Sequence, residues 1–195
     1  MKIIAYDFDK TVYDGDSSIN FYKYCLKRKP SILKYIPIQL YATIMHYGLK
    51  KWPKVKMKEK YFMFFRDIPN IEEWVNDFWQ INHQKLKGWY MIKDHSKDVI
   101  ISASPEFLLK PICKEIGVKV LIGSKVDPKT GKFEGDNCYG EEKVVRLNKH
   151  MKDYEMKEFY SDSLSDTPLA LLAERSYIVI GDRLVDWQEY VAKHK

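Results

Sequence analysis

The chain has 195 residues, of which 45% are hydrophobic, and carries a formal net charge of +6, values of an ordinary soluble protein with room for one full core and an insertion. Its three cysteines, Cys25, Cys113 and Cys138, are odd in number, widely scattered and without metal-ligand spacing, which argues against a disulfide framework or a zinc site. After Met1 and Lys2 a short apolar run meets acidic residues at once, so no signal peptide is expected and a cytoplasmic protein is.

That first apolar run, Ile3 to Phe8, reads as a buried strand ending in Asp7-Phe8-Asp9-Lys10-Thr11. Period-two geometry sends the side chains of Asp7 and Asp9 to one face while Phe8 points away. Two carboxylates held this close either cap the strand end or meet a cation. Oxygen ligands without His or Cys suit a hard ion, magnesium above all.

About ninety residues separate this strand from the next, far more than a crossover needs. Helical periodicity places helices at 17–29, 38–51, 54–66 and 71–87, punctuated by Pro30, Pro37, Pro53 and Pro69. Residues 17–90 are therefore expected to form an all-helical cap over the carboxyl ends of the strands, with residues 1–16 and 91–195 as the core. Within the cap, residues 20–60 hold eleven basic side chains against the single acid Glu59, a net +10, leaving −4 for the remaining chain. Such asymmetry fits either a solvated lysine-rich surface or a face that meets something anionic. The stretch 31–49 is largely apolar and flanked by lysines, with a narrow polar stripe at Gln39, Thr43, His46 and Lys50. That is the pattern of an amphipathic helix, one that either packs its apolar face on its neighbours or lies on anionic lipid. Pro37 and the polar stripe argue against a membrane span.

The chain then returns to alternating strand and helix. Val99 to Ser102 reads as a strand running into Ser102-Ala103-Ser104-Pro105, where the Ser102 hydroxyl and backbone amides, that of Ala103 included, can cradle a phosphate; Ser104 suits the N-cap of the helix at 106–116. Val118 to Ile122 is a third strand, and Lys125 to Asp136 a hairpin around Asp-Pro-Lys-Thr-Gly. Gly140-Glu141-Glu142-Lys143 opens a helix over 141–151, from which Lys143 can reach the same face as a point charge. Phe159 to Ser161 is a strand delivering Asp162, with Asp166 four residues on, so that both carboxylates can face one metal. A helix over 166–175 and a strand at Tyr177 to Ile180 follow. The whole predicts an α/β fold: a Rossmann-like parallel sheet with helices on both faces and an inserted helical cap.

The order of strand-DFDKT, helical insertion, strand-SAS, hairpin, GEEK and strand-DSLSD resembles the haloacid dehalogenase superfamily, in the branch whose helical cap follows the first motif and which includes the phosphoserine phosphatases. The resemblance covers essentially the whole chain. It implies a magnesium-dependent phosphatase acting on a phosphate monoester, with Asp7 as nucleophile and Asp9 as general acid, then base. Magnesium would then be held by Asp7, the backbone carbonyl of Asp9 and Asp162, with Asp166 beside them, and Ser102, Lys143 and Thr11 would hold the phosphoryl oxygens.

The same resemblance bears on substrate. Asp16 stands where phosphoserine phosphatases carry an acid for the substrate ammonium, but the arginine that meets the substrate carboxylate falls on Tyr61, with Arg66 displaced from it. The cap is similar to that of bacterial phosphatidylglycerophosphate phosphatases, which share the patterns at Ser102 and at Cys138 to Lys143, and this offers a lipid phosphate and the inner membrane face as the alternative. A function of another class, a polyanion- or membrane-binding module without turnover, fits the basic cap but leaves the four motifs unexplained. Nucleic-acid recognition modules are absent from the sequence.

Overall fold

The computed structural model describes residues 1–194. Strands β1 (Lys2–Tyr6), β2 (Asp98–Pro105), β3 (Val120–Ser124), β4 (Glu155–Ser161), β5 (Arg175–Ile180) and β6 (Arg183–Asp186) form one sheet in the order β3-β2-β1-β4-β5-β6. The first five are parallel; β6 returns antiparallel on the edge. Alternation along β1 and β2 divides the interior in two. Ile3, Ala5, Val99 and Ile101 pack with Leu147, Phe159 and Trp187 on one face, while Tyr6 and Ile100 join Leu108, Leu109 and Ile112 on the other. The chain leaves β1 with β2 on one side and β4 on the other, and a crevice opens at this reversal of strand order.

Helices α1 (Ser17–Arg28), α2 (Ile36–Thr43), α3 (Lys54–Phe62) and α4 (Ile71–Asn82) make up the insertion, and the short α5 (Gly88–Met91) leads back to β2. The insertion shares an aromatic interior with the sheet. Phe21 of α1 and Phe78 and Trp79 of α4 belong to the same buried cluster as α6 (Glu106–Glu115), and the Trp79 indole N–H donates to the Leu108 carbonyl at 2.6 Å. A second tie runs through residues 125–136, where the expected hairpin is reduced to one bridge, Val126 with Phe133. Its turn presses on α3. Phe133 stacks on Phe62, its N–H donates to Glu59 at 3.1 Å, and a Cβ on Gly131, at φ +72°, would stand 2.3 Å from the Phe62 carbonyl oxygen. Only glycine allows that approach.

Several predicted boundaries move, each for a local reason. The helix expected at 38–51 begins at Ile36, since Pro37 is tolerated in a first turn, and passes into a π-helical stretch at Ile44–Gly48. The helix expected at 71–87 stops at Asn82 because Leu86 and Lys87 are recruited to the loop after β1: Leu86 bridges Tyr13, and the Lys87 N–H donates to Val12. The Lys87 ammonium is buried on the carbonyls of Lys10 and Gly181. The helix expected at 166–175 shrinks to α8 (Thr167–Ala170), because Arg175 and Ser176 pair with Glu158 and Phe159 and begin β5. Strand β6 and helix α9 (Trp187–Lys193) were not anticipated; the run RLVDW is too short for its periodicity to separate strand from helix.

Candidate active site

At the reversal of strand order, a cleft of about 530 Å³ lies between the sheet's carboxyl edge and the cap. Asp7, Asp9, Asp16, Ala103, Ser104, Lys143, Asp162 and Asp166 line its floor, and Tyr47, Lys54, Lys58 and Tyr61 its roof. A larger depression of about 870 Å³ beside α6 and β3 gathers mostly lysines and apolar side chains and lacks converging carboxylates, so the chemistry belongs to the cleft.

The floor is built on two pairings. Asp7, directly after β1, is anchored by its N–H on the Tyr160 carbonyl at 2.9 Å, and its carboxylate accepts from the Lys143 ammonium at 2.7 Å. Lys143 comes from the first turn of α7 (Glu141–His150) and is 2% exposed. Its second contact is Asp166, also at 2.7 Å, whose other support is the Ser161 hydroxyl at 2.8 Å. Asp9 is held separately, by the Ser17 N–H at 2.6 Å and the Ser104 hydroxyl at 2.5 Å. The loop that carries Asp9 is a tight turn on the Phe8 carbonyl, which accepts from the N–H groups of Thr11, Val12 and Tyr13.

The electrostatics follow from burial. Desolvation raises the Asp7 carboxyl to about 7, against the pull of Lys143 and with Asp166 and Asp9 adding to the rise. Asp9 is pushed up to about 6, again by desolvation first and then by Asp16, with the Ser104 and Ser17 hydrogen bonds opposing. Asp162 is likewise raised by burial. For Lys143 burial alone would lower the pKa, but Asp7 and Asp166 outweigh it and hold the ammonium charged.

Five carboxylates, Asp7, Asp9, Asp16, Asp162 and Asp166, thus share the floor with one fully buried cation, Lys143, and one oxygen of Asp166 is buried with no partner among the described residues. Such a set is short of positive charge, and its donors are all oxygen, which fits a hard divalent ion. Among the described residues no three His, Cys, Asp or Glu side chains converge closely enough to enclose an ion unaided. A cation here would draw on backbone oxygen and water as well, in keeping with magnesium's retention of its waters.

The expected site residues are distributed as follows. Asp7, Asp9, Asp16, Ala103, Lys143, Asp162 and Asp166 all reach the cleft; Thr11 and Ser102 lie beneath it, buried. The Thr11 hydroxyl accepts from the Asp162 N–H at 2.9 Å and so ties the loop after β1 to the loop after β4. The Ser102 hydroxyl accepts from the Ser104 N–H at 3.1 Å. Ser104, expected as an N-cap, instead ends a longer β2 and reaches Asp9, while Asp16 both lines the cleft and caps α1 through the Ile19 N–H at 2.9 Å. Tyr61 lines the cleft and Arg66 does not.

Sequence reasoning missed Lys58. Its ammonium crosses from cap to core, donating to the Ala103 carbonyl and the Asn137 side chain at 2.8 Å each, and burial together with Lys54 lowers its pKa to about 8. One of eleven basic side chains carried no distinguishing signal.

Known proteins place this arrangement. The family model for haloacid dehalogenase-like hydrolases matches residues 4–171. Protein CicA of Caulobacter vibrioides is 27% identical over 193 residues, covering 90% of this chain and 85% of that protein. A histidinol-phosphatase of Neisseria meningitidis serogroup C is 30% identical over 96 residues, 43% of each chain. Among solved structures, a protein of unknown function from Bordetella pertussis Tohama I superposes with a TM-score of 0.72 at 22% identity, covering 91% of this chain and 89% of that one.

Proposed function

The chain belongs to the haloacid dehalogenase-like hydrolase family, and on that premise we propose that it hydrolyses phosphate monoesters through an aspartyl-phosphate formed on Asp7. The observation that carries this reading is the split between the two acids of the first motif: Asp7 is paired with Lys143, Asp9 with two neutral donors. Their tasks differ accordingly.

In the first half-reaction a carboxylate oxygen of Asp7 attacks phosphorus, the bond from phosphorus to the ester oxygen breaks, and protonated Asp9 gives its proton to the departing alcohol. A carboxyl raised to about 6 keeps a useful protonated fraction near neutrality. In the second half-reaction the Asp9 carboxylate takes a proton from water as that water attacks the acyl phosphate, releasing inorganic phosphate and restoring Asp7. Lys143 keeps Asp7 oriented and offsets the charge arriving with the phosphoryl group, and Asp166 and Ser161 hold Lys143 in place. Magnesium, with Asp7, Asp162 and the Asp9 backbone carbonyl as ligands and Asp166 beside them, would supply the positive charge that these carboxylates lack.

The substrate is read as a small monoester whose phosphate reaches Asp7 and whose remainder lies between Asp16 and the cap. Asp16 offers a carboxylate to an ammonium group, which the histidinol-phosphatase relative makes a reasonable feature to test, and Lys58 offers a cation from the cap. Turnover of p-nitrophenyl phosphate is the first measurement. It should require magnesium, be abolished by EDTA and disappear in Asp7→Asn; substantial turnover by that variant would end the mechanism.

A further inference from the structure

The stretch 36–49 is an amphipathic helix turned inside out. Gln39, on its polar stripe, is 5% exposed and faces the cap interior, where it accepts from the Tyr22 hydroxyl at 3.1 Å and donates to the Tyr61 carbonyl at 3.1 Å. Thr43, one turn on, meets the Tyr61 hydroxyl at 2.8 Å. Four large apolar side chains point the other way. Ile36, Leu40 and Ile44, at steps of four on one helical face, are 43%, 59% and 49% exposed, and Tyr47 continues the strip at 63%. An apolar strip of this kind, rimmed by polar groups, marks a surface that meets something else.

Three observations identify the partner. The first is charge: residues 17–58 contain no acid, and Lys50, Lys51 and Lys56 are exposed beside the strip without a carboxylate partner among the described residues. The second is adjacency, since Lys56 lies over the Trp52 ring at 4.2 Å and Trp52 meets Tyr41 edge-on at 5.4 Å, which joins the lysines to the apolar strip through aromatic rings. Aromatic, aliphatic and ammonium groups in this layering match the lipid–water interface. The third is symmetry. A second copy docking through this face would set the lysines of one chain against those of the other, and nucleic acid would leave the aliphatic strip without use.

We propose that this face docks the protein on an anionic lipid bilayer, with Leu40 and Ile44 entering the interface and the lysines meeting the headgroups. The docking proposed is peripheral; among the described residues no helix is long and apolar enough to cross a membrane. Tyr47 belongs both to the strip and to the wall of the catalytic cleft, so docking brings the cleft mouth to the headgroup layer. Resting on the phosphatase reading above, the inference extends the substrate class to monoesters presented at a membrane surface.

The test is co-sedimentation with phosphatidylcholine vesicles, with and without phosphatidylglycerol, alongside p-nitrophenyl phosphate turnover in solution. The full chain should sediment with the anionic vesicles at low salt, stay in the supernatant with phosphatidylcholine alone, and be released as salt rises. Leu40→Glu with Ile44→Glu should weaken vesicle binding about tenfold or more, and Lys50→Glu with Lys51→Glu should do likewise. All four positions are exposed and outside the cleft, so soluble turnover should stay at the wild-type level. Failure of the wild type to bind anionic vesicles at low salt would overturn the proposal, as would undiminished binding by the Leu40/Ile44 variant. So would a dimer that the Leu40/Ile44 variant abolishes. Loss of soluble turnover in the wild type would instead strike the phosphatase reading and leave the docking result standing.

Discussion

The floor of the cleft and the outer face of the cap solve opposite problems. On the floor, charged groups are buried and nearly every one is paired: Lys143 with two aspartates, Asp9 with a hydroxyl and an amide. On the cap, apolar groups are exposed, and Lys50, Lys51 and Lys56 beside them have no carboxylate partner among the described residues. Each region departs from the usual inside-outside rule, and each departure carries a different cost. Buried charge has to be matched atom by atom, whereas exposed apolar surface forfeits only the transfer free energy that a partner would return.

The floor should therefore be the region where single substitutions do most. Lys143→Ala leaves Asp7 and Asp166 buried and unpaired, and breaking a buried ion pair costs about 3–5 kcal/mol. We expect urea unfolding to show a loss on that scale and turnover to fall by about 10² or more. If Lys143→Ala unfolds at the wild-type midpoint, the pairing seen on the floor is not what holds it.

A smaller effect comes from proton linkage on the same floor. Asp7 and Asp9 titrate near about 7 and about 6 in the fold, above the usual carboxylate value of 3.8, so between these limits the folded state binds more protons than the unfolded one. Without divalent ions, stability should rise as pH falls from about 7.5 toward 5 and decline as pH rises through the same window. Magnesium should raise the melting temperature most near neutrality and flatten this profile. Asp162→Asn should weaken that magnesium response. A pH-independent melting temperature in EDTA would contradict the raised pKa values, irrespective of any activity measurement.

Between floor and roof sits Gly131, whose turn touches the Phe62 carbonyl. Gly131→Ala combines a positive-φ strain with a backbone clash and should cost about 1–3 kcal/mol. It should also loosen the hold of α3 on the core, read as faster amide exchange in residues 54–62. An unchanged exchange pattern would mean that Phe133 and Glu59 suffice to hold α3.

How much of this was legible in the sequence follows from the physics of each region. Asp7, Asp9, Asp162 and Lys143 could be placed because each stands within three residues of a strand end or in a helix's first turn, and topology then delivers it to one crevice. Ser102 and Thr11 occupy the expected motifs, but their hydroxyls serve neighbouring backbone N–H groups, a choice fixed by loop geometry that spacing does not encode. Lys58 reaches the floor only because the turn at Gly131 and Phe133 seats α3, a contact across about seventy residues. The cap helix was legible as two faces, and periodicity is silent on which of them turns inward.

That last ambiguity gives the smallest and most discriminating prediction. Gln39 and Leu40 are neighbours, and composition alone would bury the leucine and expose the glutamine. The structure reverses them: Gln39 bridges Tyr22 and the Tyr61 carbonyl inside the cap, and Leu40 faces outward. Gln39→Leu removes one partner from each of those two contacts and leaves the Tyr61 carbonyl and Tyr22 hydroxyl short of a bond, a loss of about 1–2 kcal/mol. Leu40→Gln removes an exposed side chain and should change stability by no more than about 0.5 kcal/mol. Paired urea titrations decide the matter: a destabilised Gln39→Leu beside a neutral Leu40→Gln fixes the polar face inward, while the opposite ranking would turn the helix over, bury the apolar strip and remove the surface on which membrane docking depends.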